Sequence, residues 1–200
     1  MDQMYFAHPV NIYGEPIERA FEILIANTLS DGDMSVIENP NQPHHQEAYM
    51  KYAVRKQESD KSHGGMNYFF AEVLPKCGRC VALPFLDGRM GLGVANETRW
   101  YVEQNRPSHI IRLRHDDEKD NQFSLRYQDF IQNPMNGLFI VTPITEQEII
   151  SIMANDPALV VPHEETRLRT WIVYGRSKRP YSIAHLARLP IPEAFYSHER

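Results

Sequence analysis

The sequence predicts an α/β fold in which helices cover both faces of a parallel sheet. Three observations lead to this expectation: strand and helix patterns alternate through the first 115 residues, the strand-like runs are short and apolar, and the first helix carries one apolar stripe. Runs that are apolar throughout are typical of strands buried on both sides. With 200 residues, of which 42% are hydrophobic, the chain can bury a sizeable core.

The first elements follow from local signals. Met4–Ala7 is a short apolar run before a turn-forming segment, which predicts the first strand. Pro16 suits the first turn of a helix, where its missing N–H would have no partner. The apolar residues of this helix recur at helical spacing: Ile17, Ala20, Phe21, Leu24 and Ile25. Met34–Ile37 is a weaker second strand, His44–Lys56 a polar helix and Glu58–Gly65 a polar loop.

The next elements complete a βαβαβ order. Met66–Leu74 is predicted as a helix and Val81–Phe85 as a strand. A glycine-rich loop then leads into a helix from about Val94 to Gln104, and Ile110–Leu113 is the fourth strand. This order predicts a Rossmann-like (flavodoxin-like) sheet.

We divide the chain into a core, residues 1–115, and a C-terminal α+β extension, residues 116–200. In the extension, Gly137–Val141 is predicted as a strand, and Thr145 with Glu148 forms a capping box at the start of a helix. We expect the extension to pack on the core as a lid or an oligomer contact.

Charge and hydropathy exclude several classes of partner. Residues 1–150 carry 14 Lys and Arg against 21 Asp and Glu, and residues 151–200 carry 7 against 5. The net charge of −5 disfavours nucleic acid as a partner. No run of about 18 apolar residues is present, and the N-terminus lacks the pattern of a secretory signal. We therefore expect a soluble, cytoplasmic protein that binds a small molecule rather than a membrane or a nucleic acid.

Cofactor and metal motifs are not evident. Cys77 and Cys80 form a lone C-x-x-C without the second pair that a zinc site needs, so we expect structural thiols at a helix-to-strand turn. His44 and His45 precede Glu47 in a helix, but side chains of adjacent residues diverge, and we expect no metal site there. Neither a G-x-G-x-x-G nor a Walker A loop occurs, and we expect no cofactor.

Two loops lie where ligands bind in open parallel sheets, beyond the carboxyl ends of the strands. One is Ala7–Gly14, after the first strand, and the other is Leu86–Glu97. The second loop contains Asp87, three glycines and, in the first turn of the following helix, Glu97. A carboxylate at that place would point into the crevice at the sheet edge.

The segment MGLGVANE, residues 90–97, resembles the helix-opening signature of nucleoside 2-deoxyribosyltransferases and the related 2′-deoxynucleoside 5′-monophosphate N-glycosidases. ALPFLDG resembles the family's strand ending in Asp-Gly, MYFAHP its first strand with a tyrosine, and RPSHII the strand after its catalytic helix. The resemblance extends over residues 4–113 with gaps. It implies cleavage or transfer at the N-glycosidic bond of a nucleoside or nucleotide, and subunits that share sites in a homo-oligomer.

The resemblance also implies roles for four residues. Glu97 corresponds to the nucleophile, and Tyr5 would hold its carboxylate by a hydrogen bond. Asp87 would orient the substrate or contact its base. Asp60 would be the proton donor, although alignment through the loop could equally place Asn67 there. The alternative is a purely structural role for both carboxylates. Glu97 would then interact with the dipole of its helix, and Asp87 would belong to an ordinary Asp-Gly turn.

The candidate substrate-binding residues come from the two loops and from a basic cluster near the C-terminus: His8, Asn11, Gly91, Gly93, Asn96, Arg167 and Arg169. Many of the transferases have an Asp six residues before the nucleophile, and here Gly91 stands there. The arginines suit phosphate recognition, or else form a solvated strand and turn. His8 would contact the ligand or bond to a backbone group.

Three interpretations of the whole protein stay open. The first is an enzyme acting on an N-glycosidic bond, as hydrolase or transferase. The second is a non-catalytic nucleotide-binding sensor on the same scaffold, which the glycine at position 91 favours. The third is an interaction protein whose crevice is vestigial.

Overall fold

The computed structural model describes residues 3–57, 66–85, 88–114 and 123–161. Its strands are β1 (Met4–Ala7), β2 (Ile37–Glu38), β3 (Arg79–Ala82), β4 (Met90–Gly91), β5 (Ser108–Leu113), β6 (Phe139–Pro143) and β7 (Val160–Val161). Its α-helices are α1 (Pro16–Leu29), α2 (Pro43–Gln57), α3 (Met66–Tyr68), α4 (Leu92–Glu103), α5 (Phe123–Gln132) and α6 (Glu146–Ala154). A π-helical segment and three 3₁₀ turns complete these elements: Phe69–Val73, Val10–Ile12, Met34–Val36 and Leu74–Lys76.

Within the described residues, the main sheet has five strands in the order β2-β1-β3-β5-β6, and all neighbours are parallel except β6, which runs antiparallel to β5. The register places Tyr5 of β1 opposite Glu38 of β2 and Cys80 of β3. β4 and β7 form a separate two-stranded parallel sheet. The predicted α/β class and mostly parallel sheet are therefore confirmed, and the strand order is compatible with a Rossmann-like fold.

Side chains alternate across β1, so the strand contributes to two separate cores. Met4 and Phe6 pack with apolar residues of α1 and α5 on one face of the sheet. Tyr5 and Ala7 pack on the other face with α4, α6 and the π-helical segment. Both faces of β1 are buried, which is why the strand is apolar throughout and lacks the alternation of a half-exposed strand.

Helices α1 and α6 contain the sequence signals that predicted them. In α1, Pro16 occupies the start, and all five residues of the predicted apolar stripe are buried. In α6, the Thr145 hydroxyl accepts from the Glu148 amide, and the Glu148 carboxylate accepts from the Thr145 amide, which is the predicted capping box. Arg112 of β5 donates two hydrogen bonds to the same carboxylate, at 2.6 and 2.7 Å, and so fastens α6 to the sheet.

The third strand differs from its predicted limits. β3 is Arg79–Ala82 rather than Val81–Phe85. The Leu83 amide still donates to the Ala7 carbonyl, at 2.8 Å, but Pro84 has no N–H to continue the ladder. The strand therefore ends early, and the residues up to 85 form the loop that leaves the sheet.

Two other elements also differ from the prediction. Of the predicted strand Met34–Ile37, the first three residues form a 3₁₀ turn because the Asp33 carboxylate caps it by accepting from the Ser35 amide, at 2.9 Å. The predicted helix Met66–Leu74 is α-helical only to Tyr68 and continues as the π-helical segment. The predicted loop at 58–65 lies outside the described residues.

The cysteines lie where the helix-to-strand turn was predicted. Cys77 caps the 3₁₀ turn before β3 and Cys80 lies within β3; both are buried free thiols. Burial raises the pKa of Cys77 to about 11, and it raises that of Cys80 well above its ordinary value. Protonated, buried thiols are poor nucleophiles and ligands, which favours the structural interpretation.

Residues 123–161, the described part of the chain after residue 115, contribute to the same architecture. β6 forms the edge of the main sheet, and β7 pairs with β4, just before α4. The predicted boundary at residue 115 therefore does not separate two sheets. Among the described helices, none combines the length and the apolar character that crossing a bilayer requires.

Candidate functional site

The chain leaves β1 toward β2 on one side and leaves β3 toward β5 on the other, so β1 and β3 bound the crevice where this topology places ligands. α4 follows the loop after β3 and packs against both strands. The buried face of α4 includes Val94, Ala95, Glu97, Thr98 and Tyr101. One carboxylate is therefore directed at the middle of the sheet.

That carboxylate is held by the tyrosine predicted to hold it. The Tyr5 hydroxyl donates to Glu97 Oε1 at 3.0 Å, across 92 residues of sequence. Tyr5 is completely buried and Glu97 is 7% exposed. The Tyr5 ring lies 6.3 Å from that of Tyr101 and 6.4 Å from that of Phe69, so aromatic packing fixes the donor.

Burial dominates the protonation of this pair. It raises the pKa of Glu97 to about 8, and the hydrogen bond from Tyr5 opposes that rise. Burial, together with the Glu97 charge, raises the pKa of Tyr5 well above its usual range. Tyr5 thus stays a neutral donor, while Glu97 changes charge near neutral pH.

The position of Glu97 in its helix differs from the prediction. Helix α4 begins at Leu92, with Gly91 as its N-cap, so Glu97 is the sixth helical residue and lies in the second turn. No acidic residue occupies the first turn of this helix. Because the dipole effect fades within one turn, it does not account for a buried carboxylate here.

His8, at the carboxyl end of β1, lies in a polar network. Its Nε2 is 3.1 Å from Asn39 Oδ1 and 3.3 Å from Glu18 Oε1, and its Nδ1 is 3.3 Å from the Pro9 carbonyl oxygen. Burial lowers the pKa of His8 to about 4, with the hydrogen bond to Asn39 opposing this. The neutral ring donates through Nε2–H to Asn39 Oδ1 and is enclosed by protein groups, which favours the interpretation of His8 as a structural histidine.

Glu18 is the centre of that network. Asn39 Nδ2 donates to Glu18 Oε1 at 3.0 Å, Asn41 Nδ2 to Oε2 at 3.0 Å and the Gly14 amide to Oε2 at 2.5 Å. Gly14 adopts a φ of 73°, which favours glycine and turns the chain toward α1. Sequence reasoning missed Glu18 and Asn39, although Asn39 directly follows β2 at the same sheet edge.

Tyr13 packs on His8, lies near enough to Glu97 to be affected by its charge, and was also missed. Its ring meets that of His8 edge-on, with centroids 5.0 Å apart. Burial raises the pKa of Tyr13 far above its ordinary value, and the charges of Glu97 and then Glu18 add to the rise. A tyrosine just before the glycine of the first loop is the signal that could have identified it.

The glycine-rich segment before α4 is partly occupied by strand pairing. Gly91 is buried in β4 and pairs with Val161 of β7. Gly93 is exposed, and a Cβ there would meet nothing within 4 Å. Asn96 is half-buried beside Glu97.

Five predicted site residues are described only in part or lie outside the described residues. Asn11 belongs to the 3₁₀ turn at Val10–Ile12, and its side chain is not described. The other four predicted site residues lie outside the described part of the chain: Asp60, Asp87, Arg167 and Arg169.

The two adjacent histidines do not diverge, contrary to the prediction. The rings of His44 and His45 lie 4.0 Å apart, and the Nε2 atoms of both approach Glu38 Oε1. Glu38 ends β2, at the same sheet edge as His8. Adjacent residues at a helix start can therefore converge when a neighbouring strand supplies an acceptor.

Comparison of this chain with protein-family models, with curated proteins and with solved structures finds no match.

Proposed function

We propose that the protein cleaves or transfers at the N-glycosidic bond of a nucleoside or nucleotide, with Glu97 as nucleophile. The observation that carries this proposal is the buried Tyr5–Glu97 hydrogen bond beside the β1–β3 crevice. The strand order, which follows the flavodoxin-like pattern with an antiparallel edge, supports a ligand at that crevice. The resemblance of residues 90–97 supplies the substrate class.

The reaction needs a carboxylate beside the sugar. As the C1′–N bond breaks, its electron pair leaves with the base, which takes up a proton, and positive charge develops on the sugar. Glu97 Oε2 would bond to C1′ while Tyr5 holds Oε1. Water or a second base then attacks C1′, restores the carboxylate and completes hydrolysis or transfer. Asp60 and Asp87 are the proposed proton donor and base contact.

The protonation of Glu97 sets the working pH. A pKa of about 8 leaves about one tenth of the Glu97 carboxyl groups ionised at pH 7. Because the ionised form is the nucleophile, kcat/KM should rise with pH and level off above about 8.

The test is release of free base from deoxynucleosides, ribonucleosides and their monophosphates by the wild type and by Glu97→Ala. We expect the variant to lose release by a factor of roughly 10³ or more. Glu103→Gln, an exposed change at the end of the same helix, is the matched control and should retain activity. Adding a second base as acceptor separates transferase from hydrolase. Equal release by wild type and Glu97→Ala would refute the proposed nucleophile.

A second candidate function is nucleotide binding without turnover. It is favoured by the pKa of Glu97, since a carboxyl that is mostly protonated at pH 7 can donate a hydrogen bond to a ligand. Absence of base release by the wild type, together with thermal stabilisation by nucleotides that is present in both proteins but smaller in Glu97→Ala, would identify this function.

A further inference from the structure

A second group of polar side chains lies at the carboxyl end of β2, apart from the Tyr5–Glu97 pair. Each of Glu38, His44 and His45 offers one donor atom, and the three atoms lie within 4.8 Å of one another. His44 Nε2 is 3.7 Å from Glu38 Oε1, and His45 Nε2 hydrogen-bonds to the same oxygen. In a tetrahedral zinc site, metal–ligand distances of about 2.1 Å place donor atoms about 3.4 Å apart.

His45 is oriented as a metal-ligating histidine is. Its Nδ1 lies 2.9 Å from the Tyr68 hydroxyl, on the opposite side of the ring from Glu38. In the ion-free chain Nε2–H donates to the Glu38 carboxylate, and Nδ1 accepts from the Tyr68 hydroxyl. With an ion on Nε2, the ring would carry its proton on Nδ1 and donate it to Tyr68. Ligating histidines characteristically donate their second ring N–H in this way.

We propose that Glu38, His44 and His45 form a site for a divalent first-row transition metal ion, with Zn²⁺ as its probe. Two imidazoles and one carboxylate are a donor set that such ions accept, and three protein ligands leave a coordination position open. The ion takes the place of the proton between His45 Nε2 and Glu38, that proton moves through solvent to His45 Nδ1, and the two donor atoms separate to about 3.4 Å. This departs from the expectation that the chain holds no metal.

The surroundings suit an ion that enters from solvent. His44 is 63% exposed at its side chain, whereas Glu38 and His45 are 13% and 5% exposed, so one ligand faces water and two are fixed. Lys76 and the positive end of the α2 dipole would repel a cation at this place, and the negative charge of the Glu38 carboxylate offsets that repulsion.

The test is calorimetric titration of the full chain with Zn²⁺ after treatment with a chelator. We expect one ion per chain with micromolar or tighter affinity. His44→Ala, a change at an exposed position, should weaken binding at least about tenfold, and Tyr68→Phe should weaken it about 10- to 100-fold. Glu47→Gln, which alters an exposed carboxylate in the same first turns of α2, is the matched control and should bind as the wild type does.

Co²⁺ distinguishes this site from the thiols. Bound through nitrogen and oxygen, Co²⁺ lacks the thiolate-to-metal charge-transfer absorption that ligation by Cys77 or Cys80 would produce. Each of three results would overturn the proposal. These are the thiolate absorption, equal Zn²⁺ affinities of wild type and His44→Ala, and no stoichiometric binding when free Zn²⁺ is about 100-fold above the expected micromolar dissociation constant. The outcome is independent of base release, because neither Tyr5 nor Glu97 is altered.

Discussion

Two buried carboxylates lie on helices that cover opposite faces of the sheet, and the protein treats them differently. Within the described residues, Glu97 on α4 receives one hydrogen bond, from Tyr5. Glu18 on α1 receives three, from Asn39, Asn41 and the Gly14 amide. Burial raises the pKa of both groups, but three donors oppose the rise at Glu18 and one opposes it at Glu97, whose pKa reaches about 8.

This difference is the reason for proposing that Glu97, rather than Glu18, has a role beyond packing. A buried carboxylate surrounded by donors fixes the chain, and Glu18 joins the ends of β1 and β2 to α1. A buried carboxylate with one donor is costly for stability, and such groups concentrate at functional sites. Variants that remove a hydrogen-bond donor or the charge of either carboxylate therefore test this distinction.

The largest expected effect is on the pH dependence of stability. The pKa of Glu97 is about 8 in the folded chain against 4.5 as a reference, so its folded form binds more protons than its unfolded form. This contribution is fully present below pH 4.5 and is lost as pH rises through 8. Between pH 5 and pH 9 the free energy of unfolding should fall by roughly 4 kcal/mol more in the wild type than in Glu97→Gln.

Urea denaturation of both proteins at several pH values measures this difference. Glu97→Gln is nearly isosteric and keeps an oxygen for Tyr5, and all other titrating groups are shared, so subtraction isolates Glu97. Parallel curves for the two proteins would mean that Glu97 is not desolvated.

The next effect concerns the donors of Glu18. Asn39→Ala removes the amide that bonds to both Glu18 and Glu22, at 3.0 and 2.7 Å, and that faces His8. We expect a loss of about 2–4 kcal/mol in the free energy of unfolding, because buried charge is left without its partner. Asn27→Ala, on an exposed position of α1, should cost less than about 0.5 kcal/mol. A loss of similar size in the two variants would contradict the structural role of the network.

The smallest expected effect is that of removing the Tyr5 hydroxyl, the donor to Glu97, on the pH dependence of kcat/KM. Tyr5→Phe removes a hydrogen bond that lowers the pKa of the carboxyl. A hydrogen bond to a charged group contributes about 1.5–3 kcal/mol. The midpoint of the rise in kcat/KM with pH should therefore shift to higher pH by about one to two units. The pH–rate profile of base release measures this shift. An unchanged midpoint with a lower plateau would show that Tyr5 acts on the substrate instead.

Local signals predicted some elements well, whereas tertiary contacts decided the rest. Met4–Ala7 and the capping box at Thr145 depend on neighbours in sequence and form as predicted. The limits of β3 depend on which residues find a partner in the adjacent strands, and the amino acid pattern does not show this.

The candidate site divides in the same way. Glu97 on α4 and its partner Tyr5 could be predicted from the resemblance and from the rule that ligands bind beyond the carboxyl ends of parallel strands. The Glu18–Asn39 bond joins residues 21 positions apart through the pairing of β1 with β2. The convergence of His44 and His45 on Glu38 likewise depends on where β2 ends relative to α2, which no local pattern specifies.

The most direct test of the distinction between the two carboxylates is to titrate them by ¹³C NMR of glutamate side-chain carboxyls. Glu97→Gln and Glu18→Gln assign the two resonances by their disappearance. The Glu97 resonance should titrate with a pKa of about 8, and this pKa should be higher in Tyr5→Phe. Titration of Glu97 near 4.5, the ordinary value, would show that the carboxylate is solvated and would contradict the account of the site.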